Sequence, residues 1–327
     1  MQEQETSGRR VSSIAVSHNS ALVASASNYD LTRTITLWCA ETGRCIRELK
    51  GHEWQIYSIV FSHDSSLLAS ACEDNTVRLW RTETGDCVQV LQGDEFRPVA
   101  FSHDSDLVAS GSEHGAVYLW RTATGERVQE LQSGHEDEDY NTPVAFSHDS
   151  ARIASAAWGP VQIRRIATGA LVQKVRGHGH AVTAIAFSRD SALMASAGRD
   201  RTVRLWRVGT GDCVQKIDLD AISRNLSIAS DNSQILTDFG SIAIDSTAMS
   251  GAQIPARFSG IGVRCDYSWI TWNDNNILRI PVELGALRTA ISGSTVAIGC
   301  SSGRVVIIRF STEELTKIYA GVDDILD

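Results

Sequence analysis

A period of 41 to 43 residues constrains this chain more than any other feature. Four glycines, Gly51, Gly93, Gly134 and Gly177, stand 42, 41 and 43 residues apart, and each opens a segment of the same rhythm. From Gly51 to Gln92, apolar and polar residues alternate over Tyr57 to Phe61, Leu67 to Ala71, Thr76 to Trp80 and Cys87 to Leu91. The turn-forming runs SHDSS, EDN and TETGD lie between them. Alternation at period two between turn signals predicts strands, and four in succession predict a four-stranded antiparallel meander. One such meander cannot bury both of its faces, so it must stack on copies of itself, and the copies are present.

A repeat of this length suits a propeller blade, and its residues carry a specific resemblance. GHEWQIYSIVFSHDSSLLASACEDNTVRLW and GHGHAVTAIAFSRDSALMASAGRDRTVRLW resemble WD40 repeats in their Gly-His start, small-residue strand, Asp turn and Trp near the end of the third strand. The features recur together over about 210 residues. The dipeptide that names the family is missing: Trp38 is followed by Cys39, and Trp80, Trp120 and Trp206 by Arg81, Arg121 and Arg207. The resemblance implies an all-β chain, a WD40 β-propeller of four-stranded antiparallel blades.

In chain order, residues 1–10 read as a polar N-terminal segment, 11–218 as five regular repeats, 219–318 as degenerate blades of the same propeller, and 319–327 as an acidic tail. Blade one has a longer second-to-third turn than blade two, 13 positions from Ser25 to Trp38 against 10 from Ser70 to Trp80, and the extra length should project from one rim. Blade three has a short lead-in, 8 residues from Gly93 to Phe101 against 10 from Gly51 to Phe61. Blade four takes 12 to reach Phe146 and carries an acidic cluster at Glu136 to Asp139. After Asp218 the Gly-His and Trp signals stop, but strands continue as NLSIAS, QILTD and SIAID, then GIGVRC, SWITWN and NILRIPV, then RTAISG, STVAIGCS and RVVIIRF. Five regular and three degenerate units favour eight blades. Seven is the alternative, because the segment after Ile280 leaves almost no room for a fourth strand in the seventh unit.

The tail carries a second resemblance. SWITWNDNNILRIP followed by AISGSTVAIGCSSGRVVIIRFS is similar to the end of the WD-repeat region of fungal NACHT-type (STAND) proteins, the group of vegetative-incompatibility proteins. In that group the propeller follows a nucleotide-binding module. No Lys follows a Gly in this sequence, so a Walker A loop is absent from it, and the resemblance places such an NTPase module upstream in a longer native polypeptide.

Composition excludes several classes. A formal charge of −9 with only four lysines argues against a phosphate-binding surface and hence against nucleic acid. No apolar run reaches the ~18 residues of a membrane span, and the start MQEQETSGRR is neither a signal peptide nor a transit segment. A cytoplasmic protein without membrane insertion is expected. Seven cysteines fit that compartment as thiols, and Cys45, Cys87 and Cys213 occupy one repeated site at the start of the fourth strand, on different blades and too far apart to bridge.

The recurring polar residues are structural candidates. In WD40 repeats the His of the Gly-His start, a Ser of the second strand, the Asp of the next turn and the Trp form a hydrogen-bonded tetrad. Matched by position, this implies His52, Ser70, Asp74 and Trp80 in blade two, and His178, Ser196, Asp200 and Trp206 in blade five. In blade three the partners are exchanged, with Asp94 matching His52 and His114 matching Asp74. Either the swapped pair still meets as carboxylate and imidazole, or both positions have drifted independently. Blade four has Arg164 where Trp is expected, and it is predicted to be the least stable of the regular blades.

The letters Ser62-His63-Asp64-Ser65 recur at Ser102 and Ser147. Neighbours on one turn cannot form a catalytic triad, which needs three side chains converging from separate elements. The run reads as the first-to-second strand turn, where Asp and Ser bond local backbone groups. No Cys-x-x-Cys or His-Glu-x-x-His spacing is present, so no metal, cofactor or catalytic residue is assigned.

What remains is surface. In WD40 proteins partners bind the rim formed by first-strand lead-ins and second-to-third turns. The matching positions are Gln55, Tyr57, Glu95, Arg97, Tyr140, Thr142, Ala181 and Thr183, with Tyr29, Glu73 and Arg199 before the turn Asp and Glu113 at the matching position in blade three. Trp158 falls near the same rim, either as a binding side chain or as filler for the missing tetrad Trp. The expected function is a non-catalytic protein-protein interaction propeller, a recognition module like that of fungal STAND-type non-self-recognition proteins. The alternatives are a free-standing adaptor or scaffold in a regulatory or organelle-division complex, and an enzyme using the central channel, for which no convergent titratable residues are visible.

Overall fold

The structure, a computed structural model, describes residues 2–5, 10–27, 33–93, 96–112, 115–132, 142–156, 160–244 and 252–319. It is an eight-bladed all-β propeller. Blade two comprises Ile56–Phe61, Leu67–Cys72, Thr76–Arg81 and Cys87–Gln92, each one residue longer than the alternation indicated. Blades one, three, four and five repeat the meander with the sequence order of their strands. The first strands of neighbouring blades pack on one another and ring the axis.

In the second strands burial is continuous rather than alternating. Leu68 to Cys72 and the second strands of blades one, three and five are buried residue after residue, because each blade is covered on both faces by its neighbours. Small Ala and Ser there let sheets approach closely, and larger residues fill the gaps. Ile35, Leu37 and Leu49 of blade one pack with Ile56, Phe61, Leu68 and Trp80 of blade two in one cluster. The core is thus a series of inter-blade layers. Gly111 belongs to this logic: a Cβ there would run into the Thr142 carbonyl of blade four.

The degenerate part holds three features the sequence did not announce. Blade six (Leu226–Ile228, Gln234–Thr237, Gly240–Ala243) ends in a two-residue fourth strand, Phe258–Ser259. Before reaching it, the chain lays Ala252–Pro255 parallel to Cys213–Asp218, adding a fifth strand to blade five. Blade seven has three strands, Ile261–Val263, Trp269–Trp272 and Asn275–Arg279, in keeping with the missing room after Ile280. Blade eight (Ala286–Ser292, Thr295–Cys300, Arg304–Arg309) takes its fourth strand from Gln2–Glu5, paired antiparallel with Arg304–Ile307. The polar N-terminal segment therefore closes the ring. The helix Thr312–Tyr319 follows, with the Ser311 hydroxyl accepting the Glu314 amide at 3.3 Å and two acidic residues in its first turn.

Candidate functional site

Both predicted tetrads form. In blade two His52 Nδ1 lies 2.8 Å from Asp74 Oδ2 and Nε2 lies 2.6 Å from Ser70 Oγ, which accepts the Trp80 indole N–H at 2.8 Å. In blade five the distances are 3.0, 2.7 and 2.8 Å for His178, Ser196, Asp200 and Trp206. The network assigns the imidazole proton to Nδ1, leaving Nε2 to accept the serine O–H. Burial alone would raise the Asp74 pKa, but hydrogen bonds from His52 and Thr76 outweigh it and hold the carboxyl well below the usual carboxylate range. Asp200 is held low in the same way by His178. Each Asp also accepts a lead-in amide, Glu53 N–H at 3.2 Å and Gly179 N–H at 3.0 Å, and so fixes the path of the rim.

The other blades depart from this set in graded steps. Blade one keeps the last link, Trp38 Nε1 donating to Ser25 Oγ at 2.9 Å. In blade three, Asp94 and His114 lie outside the described residues, and Ser110 Oγ donates to the Pro98 carbonyl at 2.7 Å. Blade four places Arg164 at the Trp register position, where its guanidinium donates to the carbonyls of Gln132 and Gly169 and to Gln162 Oε1 at 2.9 to 3.0 Å. Blade six holds a tetrad relic that sequence reading missed. Asp238, in its second-to-third turn, accepts from the amides of Arg224 and Asn225 at 2.7 and 3.2 Å and from Asn225 Nδ2 at 2.6 Å, so Asn225 replaces the imidazole. The signal was an Asp after a short strand, without the Gly-His that would have marked its partner.

The rim candidates separate into exposed and buried. Gln55, Glu73 and Arg199 are exposed, and Tyr57 and Thr183 are half-buried. Lead-in and turn are tied together, since Glu73 N–H donates to the Gln55 carbonyl and Arg199 N–H to the Ala181 carbonyl at 2.9 and 2.8 Å. Thr142 and Ala181 are corrected: both are buried, at 0% and 4% exposure, and offer no side chain to a partner. Thr142 Oγ1 donates to the Ser112 carbonyl of blade three, which draws it into the inter-blade layer. Thr183 Oγ1 is likewise used inside the fold, donating to the Ser223 carbonyl at 2.6 Å. Tyr29, Glu95, Glu113, Tyr140 and Trp158 lie outside the described residues, and Arg97 is placed only as part of the strand Phe96–Phe101.

The most prominent rim side chain is one the sequence reading passed over. Trp54 is 55% exposed on the blade-two lead-in. The Arg33 guanidinium, at the end of blade one's long turn, sits 5.6 Å from the centre of its ring. Its carbonyl accepts the Cys72 S–H at 3.1 Å, which anchors the lead-in beneath it. The letter Trp was visible between the tetrad His52 and Gln55, but only the fold shows that it points outward.

Two other arrangements are structural. Ser62 is buried, its hydroxyl donates to Asp64 Oδ1 and accepts the Leu67 amide at 2.9 Å, and Ser65 turns the chain at φ 61°. The same bonds recur at Ser102 with Asp104 and at Ser188 with Asp190. His52, Cys72 and Asp74 are the one trio of potential metal ligands that converges among the described residues. Both His52 nitrogens are engaged by protein partners, and burial pushes the Cys72 thiol up to about 12. None of the seven cysteines is in a disulfide, and Cys45, Cys87 and Cys213 each open a fourth strand.

Comparison with known proteins agrees with this geometry. The family "WD domain, G-beta repeat" matches residues 43–81, 85–121 and 169–207. Each of these windows runs from the end of one blade through the third strand of the next. The chain is 46% identical over 48 residues to nuclear distribution protein nudF of Aspergillus niger, covering 14% of this chain and 11% of that protein. It is 34% identical over 91 residues to vegetative incompatibility protein HET-E-1 of Podospora anserina, covering 27% and 7%. It is 31% identical over 70 residues to eukaryotic translation initiation factor 3 subunit I of Aspergillus oryzae, covering 21% of each. The chain thus spans a quarter or less of each of these relatives.

Proposed function

The chain is a β-propeller carrying WD40 repeats, a protein-interaction module, and from that premise we propose that it is a non-catalytic recognition propeller whose partner docks on the blade-one and blade-two sector of the rim. One observation carries the reading: Trp54 stands exposed at the rim with Arg33 over its ring, on a lead-in whose exposed Gln55 is tied by its carbonyl to the amide of exposed Glu73. Trp, Tyr and Arg dominate binding hot spots because they bury large area with few torsions to freeze, and a large exposed aromatic on a rigid framework is what such a site requires. The tetrads beneath hold the lead-in in place before any partner arrives.

The finer reading is that the partner is a protein read by a sensor of the fungal STAND type, with an NTPase module elsewhere in a longer polypeptide. The stretch similar to HET-E-1 supports it. The adaptor reading draws on the stretches similar to nudF and to translation initiation factor 3 subunit I. In either case we infer a cytoplasmic protein, a compartment in which seven cysteines stay reduced; no helix among the described residues is long and apolar enough to cross a membrane.

The test is proximity cross-linking followed by mass spectrometry on wild type, on Trp54→Ala/Tyr57→Ala, and on Arg189→Ala at the opposite end of the strands. Proteins lost with the rim double variant and kept with Arg189→Ala are the expected result. A folded double variant that retains every wild-type partner would discard the rim.

A further inference from the structure

A cavity of about 480 Å³ lies between blades five, six and seven, in a different sector from Trp54 and unused by the rim site. It sits where blade six ends in a two-residue fourth strand and blade seven has three strands. Its walls come from all three blades. Asp218 ends the fourth strand of blade five, and Asp220 follows it. Phe239, from the second-to-third turn of blade six, and Phe258, from its fourth strand, face the same space. Blade seven adds Thr271 from its second strand and Asp274 from the next turn.

We propose that this cavity binds a small organic amine in its ammonium form, with an apolar body against the phenylalanines and its charge toward the carboxylates. Four observations support it. First, the size is that of a ligand site. Small-molecule pockets measure ~300–1,000 Å³, whereas voids in a packed core seldom exceed one water molecule. Second, part of the wall is aromatic. Phe239 and Phe258 are half-buried, their ring centres 6.2 Å apart at 74°, an edge-to-face pair that offers surface to an apolar body and to a cation.

Third, the charge at the cavity is negative and not internally balanced. Asp218, Asp220 and Asp274 face one guanidinium, that of Arg264. Arg264 is already engaged, with Nε donating to Asn276 Oδ1 at 2.8 Å and Nη2 to the Asp274 carbonyl at 3.3 Å. Asp218 is paired with Lys216 at 3.0 Å. The exposed carboxylates of Asp220 and Asp274 have no cationic partner among the described residues, so an entering cation meets charge that the protein leaves uncompensated. Fourth, Thr271 is 3% exposed and lines the cavity, and its hydroxyl has no hydrogen-bond partner among the described residues. A buried hydroxyl is normally satisfied, and an ammonium N–H can donate to this one.

The experiment titrates the whole chain calorimetrically with phenethylammonium chloride at neutral pH. Saturable binding is expected, at least ~10-fold tighter than that of 2-phenylethanol, which has the same body without the charge, because charge-assisted bonds are about twice as strong as neutral ones. Asp220→Asn/Asp274→Asn should weaken it by a similar factor. Both positions are exposed, and Asn suits the φ of 64° at Asp274, so the double variant is expected to keep the wild-type Tm. No saturable binding, equal binding of the alcohol, or binding indifferent to the double variant overturns the proposal and leaves the cavity as a gap between degenerate blades. A second readout needs no variant. Cys265 is exposed and lines the cavity, so phenethylammonium should slow its alkylation by iodoacetamide and leave exposed Cys45 and Cys87 on blades one and two unaffected. Alkylation of Cys265 at the same rate with and without saturating phenethylammonium would equally refute the site.

Discussion

Ser70 joins the Trp80 indole to the His52 imidazole. Its oxygen accepts the Trp80 indole N–H at 2.8 Å and its proton goes to His52 Nε2 at 2.6 Å, all in buried surroundings. Ser70→Ala removes both bonds at once while changing volume little. Leaving a buried polar group unsatisfied costs about 1–3 kcal/mol, so the unfolding free energy from urea denaturation should fall by that order and the midpoint with it, and an unchanged midpoint would mean that the tetrad contributes nothing to stability. These residues were legible because all four types recur at fixed offsets. Trp54 and Asp238 were not. The first has no repeated counterpart, and the second has lost the partner letter that would have marked it.

At the scale of elements, the blades are joined by a repeated clamp at one position of the fourth strand. Arg47 donates to the carbonyls of Thr84 and Glu83 at 2.8 and 2.7 Å, Gln89 to Ala123 at 3.0 Å and Gln173 to Thr210 at 2.8 Å, each reaching the last turn of the next blade. Gln129 completes the series with its amide oriented to donate to Ile166 and accept from Gly169. The glycine of the TxTG turn is the clamp's seat: Gly125 has φ +71° and a Cβ on it would lie 2.6 Å from Gln89 Oε1. Blade four is the weak element in this series. Its first two strands, Val144–Phe146 and Arg152–Ser155, have three and four residues where blade two has six in each, and Arg164 supplies hydrogen bonds in place of a buried indole. Native-state hydrogen exchange should find its amides less protected than those of blades two and five. Equal or greater protection would show that the Arg164 bonds fully replace the tetrad.

For the whole molecule, acid should loosen the ring in two stages. His63 and His103 have folded pKa values of about 4 and about 3, below the unfolded value of 6.5, and His18 is also lowered, first by burial. These rings stack with that of His148 across blades one to four, and the charged groups facing them are the stacked imidazoles themselves and Asp104. A histidine with a depressed folded pKa binds its proton more readily unfolded, so its contribution is complete above about pH 6.5 and is lost as pH falls toward the folded values. The turn carboxylates Asp64, Asp104 and Asp149 resist protonation because serine hydroxyl and backbone bonds outweigh burial, so their contribution is lost below the ordinary Asp range of 3.8. The Tm should therefore fall between about pH 6.5 and pH 4, before the carboxylates titrate, and His63→Gln/His103→Gln should flatten that limb. A wild-type Tm constant over the window would refute the burial of neutral imidazoles.

The sequence by itself determined the blade. Strand alternation, turn letters and the tetrad are contacts within one unit of about 42 residues, so their spacing is written into each repeat, and five good copies with three poor ones were enough to favour eight blades over seven. Tertiary structure alone decided what happens between units. The strand that closes blade eight comes from the opposite end of the chain. Thr142 is buried because it packs against Gly111 and Ser112 of the neighbouring blade. The stacked histidines come from four repeats about 40 to 45 residues apart, a spacing that means nothing until the first strands are wound around a common axis. Local chemistry repeats along the chain, whereas a surface shared by blades exists only once the ring has closed.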